Sequence, residues 1–117
     1  MHVTPLTRPE RNTLLRSYAA RVEGHPDAVF ADLVQKLIEY GDEVRVAVDG
    51  EGRFAAVQGG WWYRAEYRVL DDEEGSRIEH ELFNVAPTWH WAGALTGRAV
   101  IADSATAFRQ LLESLDP

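Results

Sequence analysis

The sequence predicts an α+β domain in which a curved antiparallel sheet packs on a long C-terminal helix, in the order β-α-β-β-β-β-α. Three observations carry this. Residues 43–86 alternate apolar and polar side chains with the period of half-buried strands. Residues 27–40 place Val29, Phe30, Leu33, Val34, Leu37 and Ile38 on one helical face. Residues 88–115 carry apolar side chains at helical spacing again, and they form the longest candidate cover for a one-faced sheet.

With 117 residues the chain supports one domain and one core. Residues 1–13, with Pro5 and Pro9 among charges, read as an N-terminal arm; residues 14–117 read as the domain. There is no cysteine, so disulfide and thiolate chemistry are excluded, which fits a reducing compartment. No apolar run approaches the ~20 residues of a membrane span. Residues 1–13 lack the apolar stretch of a signal peptide, so the expected location is the cytoplasm. A net charge of −7 disfavours nucleic acid as a partner.

Residues 14–23 alternate as a strand. Gly24-His25-Pro26-Asp27 breaks it and starts a helix, with proline in the first turn and Asp27 at the positive end. His25 is expected as a cap or turn residue. Gly41 stands where a left-handed C-terminal cap belongs.

In the meander, Gly50-Glu51-Gly52 suggests a three-residue loop with Gly52 left-handed, setting Val48 opposite Phe54. Gly59-Gly60 suggests a two-residue turn setting Ala56 opposite Tyr63. The strands flanking residues 71–76 check themselves. Pairing Val69 with Ile78, Tyr67 with His80, Ala65 with Leu82 and Tyr63 with Asn84 collects apolar and aromatic groups on one face, while Arg68 meets Glu79 on the other. The expected covered face runs through Val44, Val46, Val48, Phe54, Ala56, Trp61, Tyr63, Ala65, Tyr67, Val69, Ile78, His80 and Leu82.

After Pro87, Thr88 is the expected cap of a helix from Trp89. Trp91, Leu95, Ala99 and Ala102 share one face; Ile101, Ala105, Phe108, Leu112 and Leu115 centre on nearly the opposite one. The helix is therefore buried on two sides or bends between Gly97 and Ser104.

Gly24-His25-Pro26-Asp27-Ala28-Val29-Phe30 resembles the strand-to-helix entry of the SRPBCC superfamily, the START-like or Bet v 1-like helix-grip fold. The later segment, from Gly59-Gly60-Trp61-Trp62-Tyr63-Arg64 through Phe83-Asn84-Val85, resembles central strands of its small, polyketide-cyclase-like bacterial members. The resemblance covers roughly residues 14–115 and is one of fold pattern. It implies a pocket between sheet and C-terminal helix that holds an apolar small molecule. The chain departs by having five expected strands and one helix before the last, against seven strands and two short helices.

The polar minority of the covered face supplies candidate ligand contacts: Trp61, Tyr63, Tyr67, His80 and Asn84, joined by Trp91 and Leu95 of the last helix. Tyr67 opposite His80 is the candidate catalytic pair of a cyclase or dehydratase-like enzyme. Both side chains equally suit a core rim with satisfied polar tips. Trp89-His90-Trp91 reads as an apolar plug for the helix start, or else as a pocket mouth. His80 and His90 lack zinc-ligand spacing, residues 71–74 lack a calcium-loop pattern, and no cofactor fingerprint is present; no metal or cofactor is expected. A third alternative is a ligand-free interaction protein whose tryptophans build a homodimer. Within the last helix, residues 108–115 are the expected grip and residues 89–102 the expected mouth.

Overall fold

Pro26 opens the first helix, α1 (Pro26–Tyr40), and His25 caps it. The Asp27 N–H donates to His25 Nδ1 at 3.2 Å, and Val29 N–H donates to the His25 carbonyl at 2.9 Å. A computed structural model describes residues 3–40 and 45–116, so Gly41 and Val44 lie outside the described residues. Strands β1 (Thr13–Glu23), β2 (Val46–Asp49), β3 (Phe54–Gly59), β4 (Tyr63–Asp72) and β5 (Gly75–Asn84) form one open antiparallel sheet in the order β1-β5-β4-β3-β2. Helices α2 (His90–Thr96) and α3 (Arg98–Ser114) complete the α+β fold. No described helix is long and apolar enough to cross a membrane.

The β4–β5 register is the expected one throughout: Tyr63 faces Asn84, Ala65 Leu82, Tyr67 His80, Arg68 Glu79 and Val69 Ile78. The strands extend closer to the turn than the sequence suggested, leaving Glu73-Glu74 between the paired Asp72 and Gly75. The earlier hairpins differ. Arg53, not Gly52, takes the positive φ of 46°, so the β2–β3 loop holds four residues and Asp49 pairs with Phe54. Gly60 takes φ 60° as expected, but the β3–β4 loop is Gly60-Trp61-Trp62 and Gly59 pairs with Tyr63. Each odd slip turns a strand over. Ala55 and Val57 therefore join the face that carries Ala65 and Tyr67, and Phe54 and Ala56 join the opposite one. Trp61 is an exposed loop residue; its neighbour Trp62 is buried.

Helices α1 and α3 cover one face. Val29, Phe30, Leu33 and Leu37 meet Ala55, Ala65, Tyr67, Val69, Ile78, Phe108 and Leu111 in the main core. Trp62, Leu82, Ala86 and Ile101 form a smaller core at the other end. The residues before β1 cover the second face. Arg64, at 0% exposure, donates to the carbonyls of Pro5 and Leu6 at 2.8 and 3.0 Å, to Gln58 Oε1 at 2.8 Å and to Glu66 Oε2 at 2.9 Å. Arg8 grips the same Glu66 carboxylate with two bonds, at 2.9 and 2.7 Å, and lies 3.8 Å above the Phe83 ring. Thr4 donates to the Arg45 carbonyl at 2.7 Å.

The last helical stretch breaks at Gly97, within the expected bend region. Its first part packs through glycine. A Cβ on Gly97 would meet Trp62 at 2.0 Å, and one on Gly93 would meet Asn84 at 2.6 Å. These glycines sit one turn apart and face the body, so Trp91 and Leu95, also one turn apart, face solvent at 70% and 60% exposure. Thr88 does not cap α2. The N-cap is Trp89, in the left-handed region at φ 52°, where a bulky side chain is strained. Trp89 is itself 71% exposed, so the Trp-His-Trp run is no plug.

Candidate functional site

A partly open cleft of about 530 Å³ lies between the C-terminal end of α1, strands β3 and β4, and α3. Leu37, Val57, Phe108 and Leu111 make it apolar. Tyr63 and Tyr67 project into it from β4 because their even spacing of four residues puts both on the face that α1 and α3 cover. Neither phenol hydroxyl hydrogen-bonds another described residue, and no described side-chain polar atom is buried without a partner. Tyr67 lines the cleft even though it is only 7% exposed. Burial raises both phenol pKa values, and for Tyr67 the neighbouring Tyr63 adds to the rise. Both stay protonated at neutral pH and can donate to a ligand oxygen. Tyr40, Arg45, Gln58 and Gln110 also line it.

The seven residues singled out from sequence do not share this cleft. Tyr63 and Tyr67 line it. His80 lies behind Tyr67, with ring centroids 4.4 Å apart and planes 6° from parallel. Tyr18 stacks on the same imidazole at 5.8 Å and Phe108 lies 5.2 Å from it. His80 Nδ1 donates to the Glu66 carbonyl at 3.2 Å, which fixes the neutral tautomer. Burial pushes its pKa down to about 4, only partly opposed by that hydrogen bond. Tyr18 also bonds Ser104 of α3 at 2.6 Å, so the ring stack ties β1, β4 and β5 to α3.

Asn84 serves the start of α2. Its amide donates to the His90 carbonyl at 2.6 Å, and its oxygen accepts from the Ala86 N–H at 3.1 Å. Both His90 ring nitrogens are engaged as well, Nδ1 with the Ala86 carbonyl at 2.8 Å and Nε2 with Thr13 Oγ1 at 2.9 Å. Among the described residues, no group of three His, Asp or Glu side chains converges as a metal-ligand set. Trp61, Trp91 and Leu95 stand outside the cleft on exposed surface. Residues 108–115 grip the sheet as expected, through Phe108, Leu111, Leu112 and Leu115, but the described cleft lining takes Ala107, Phe108, Gln110 and Leu111 from α3 and nothing from the expected mouth, residues 89–102.

Sequence reasoning missed Arg45, Leu37 and Gln110. The apolar stripe of α1 pointed to Leu37. Nothing local marked Arg45, which reaches the cleft because β2 is the edge strand beside β3. Compared with models of known families, with characterised proteins and with solved structures, the chain finds no match.

Proposed function

We propose that this chain is a shortened helix-grip domain of the SRPBCC kind, working in the cytoplasm, that binds a small apolar or aromatic molecule between its sheet and C-terminal helix. The observation that carries the reading is the cleft itself. Its volume of about 530 Å³ falls in the range of small-molecule sites, and its apolar walls converge on two protonated phenols that have no hydrogen-bond partner among the described residues. The element order and the gripping of α3 against a five-stranded antiparallel sheet support the family assignment.

The cyclase or dehydratase reading draws less support. In the Tyr67–His80 pair the rings lie face to face, so the hydroxyl is not aimed at an imidazole nitrogen, and His80 is enclosed by Tyr18 and Phe108. The test of binding is native mass spectrometry and thermal shift against fatty acids, sterols and polyaromatics. Binding is expected to give a one-to-one adduct and a raised Tm. Ala107→Trp, at an exposed position on the cleft wall, should abolish the adduct while the fold persists. No adduct with any class would end the reading.

A second reading, self-association through α2, draws on the exposed Trp89, Trp91 and Leu95. Sedimentation equilibrium tests it: a monomer mass unchanged across concentration would exclude it.

A further inference from the structure

We propose that the cleft selects apolar or aromatic molecules that carry a carboxylate, received by Arg45 at the mouth with Tyr63 and Tyr67 donating beside it. The inference rests on the binding reading above and deepens it.

The argument begins with charge. The whole chain carries −7, yet among the described residues the cleft lining holds one cation, Arg45, and no carboxylate. A net-negative protein would repel an organic anion at most of its surface; the described part of this lining is the reverse. Position comes next. Arg45 Nη1 lies 3.2 Å from where a Cβ on Gly59 would sit, so the guanidinium rests over bare backbone at the rim. A Cβ at that position would make it give by a few tenths of an ångström. The buried Thr4 holds the Arg45 backbone through the 2.7 Å bond to its carbonyl, which fixes where the side chain starts.

Chemistry then chooses the ligand group. A guanidinium is a planar fork of donors matched to a carboxylate, and the bonds it makes to one are roughly twice as strong as neutral ones. The phenols add neutral donors deeper in the cleft. Arg45, the phenols and the apolar wall of Leu37, Phe108 and Leu111 together suit an acid head on an apolar body. A neutral alcohol of the same shape would use the wall and the phenols but leave the guanidinium to water.

The test is isothermal titration of the full chain with matched acid and alcohol pairs: octanoic acid and octanol, dodecanoic acid and dodecanol, naphthylacetic acid and naphthylethanol. The acid of the binding pair is expected to bind about tenfold tighter than its alcohol. In Arg45→Met, which keeps the aliphatic stem, that ratio should fall to near one. Equal affinity of acid and alcohol in the unaltered chain would overturn this inference and leave the binding reading standing. An acid preference that survives in Arg45→Met would also overturn it. No binding by any member of any pair would overturn both.

Discussion

Removing Arg64 is the sharpest perturbation available, because its guanidinium is fully buried yet makes four hydrogen bonds. Arg64→Leu keeps the apolar volume near the backbone and deletes every donor. Glu66, 2% exposed, then retains Arg8 as its close partner, with the Arg68 guanidinium farther away at 3.9 Å. Breaking one side of a buried ion pair destabilises by about 3–5 kcal/mol, since the remaining charge stays out of water. The released carbonyls of Pro5 and Leu6 lie near solvent and add less. Urea unfolding followed by tryptophan fluorescence reads the loss. Arg64→Leu combined with Glu66→Leu should be less destabilised than the sum of the single variants by about 1–3 kcal/mol. Acid sensitivity gives a second signature. Burial alone would raise the Glu66 pKa, but Arg8 and Arg64 more than offset it and hold the carboxyl below its ordinary value. The pairing stability is therefore present above the ordinary carboxylate range and is lost as the pH falls through the lowered folded value. Arg64→Leu should weaken that acid loss. A single-variant cost under about 1 kcal/mol, or strict additivity in the pair, would refute the view that this network is a desolvated unit.

Gly97→Ala should destabilise by about 1–3 kcal/mol, because the added methyl meets the Trp62 ring; φ at Gly97 is −94°, so the penalty is steric, and Trp62→Phe in the same chain should relieve part of it on thermal melting. Phe108→Ala should lose about 3–5 kcal/mol in urea unfolding, since its ring joins both the main core and the aromatic stack. His80 titrates near 6.5 when unfolded and about 4 when folded, so the unfolded chain binds the extra proton between those values and stability falls with the pH by up to ~3 kcal/mol. His80→Phe should flatten the stability profile between pH 6.5 and 5, which pH-dependent melting would show.

How much could be read from residues alone depended on whether two independent signals agreed. The β4–β5 register was legible because apolar matching on one face and charge matching on the other demand the same alignment. The β2–β3 register rested on glycine alone, and Arg53 takes the left-handed position at the next residue. The α2 face was misread because hydrophobic periodicity weights large side chains, whereas this helix docks by the absence of side chains at Gly93 and Gly97. The aromatic pair at the cleft, Tyr63 and Tyr67, followed from correct β4 alternation. Arg45 did not, because its role arises from strand order and not from its neighbours in the chain. Arg64 and Glu66 fall on the face opposite Tyr63, Ala65 and Tyr67, for which the sequence suggested no cover. Phe83 on that same face was the hint that something covers it.

The segment bearing Thr4, Pro5, Leu6 and Arg8 also bears on the order of folding. Arg8 meets Glu66 across 58 positions of chain, whereas Val69 and Ile78 are joined by a short hairpin. Closing so large a loop carries an entropic penalty that no local contact offsets, and its anchor points on β3, β4 and β5 must already stand side by side. The residues that lie ahead of every strand in the chain therefore settle after the strands have paired. When they do, charges that had been hydrated until then become the interior of the molecule.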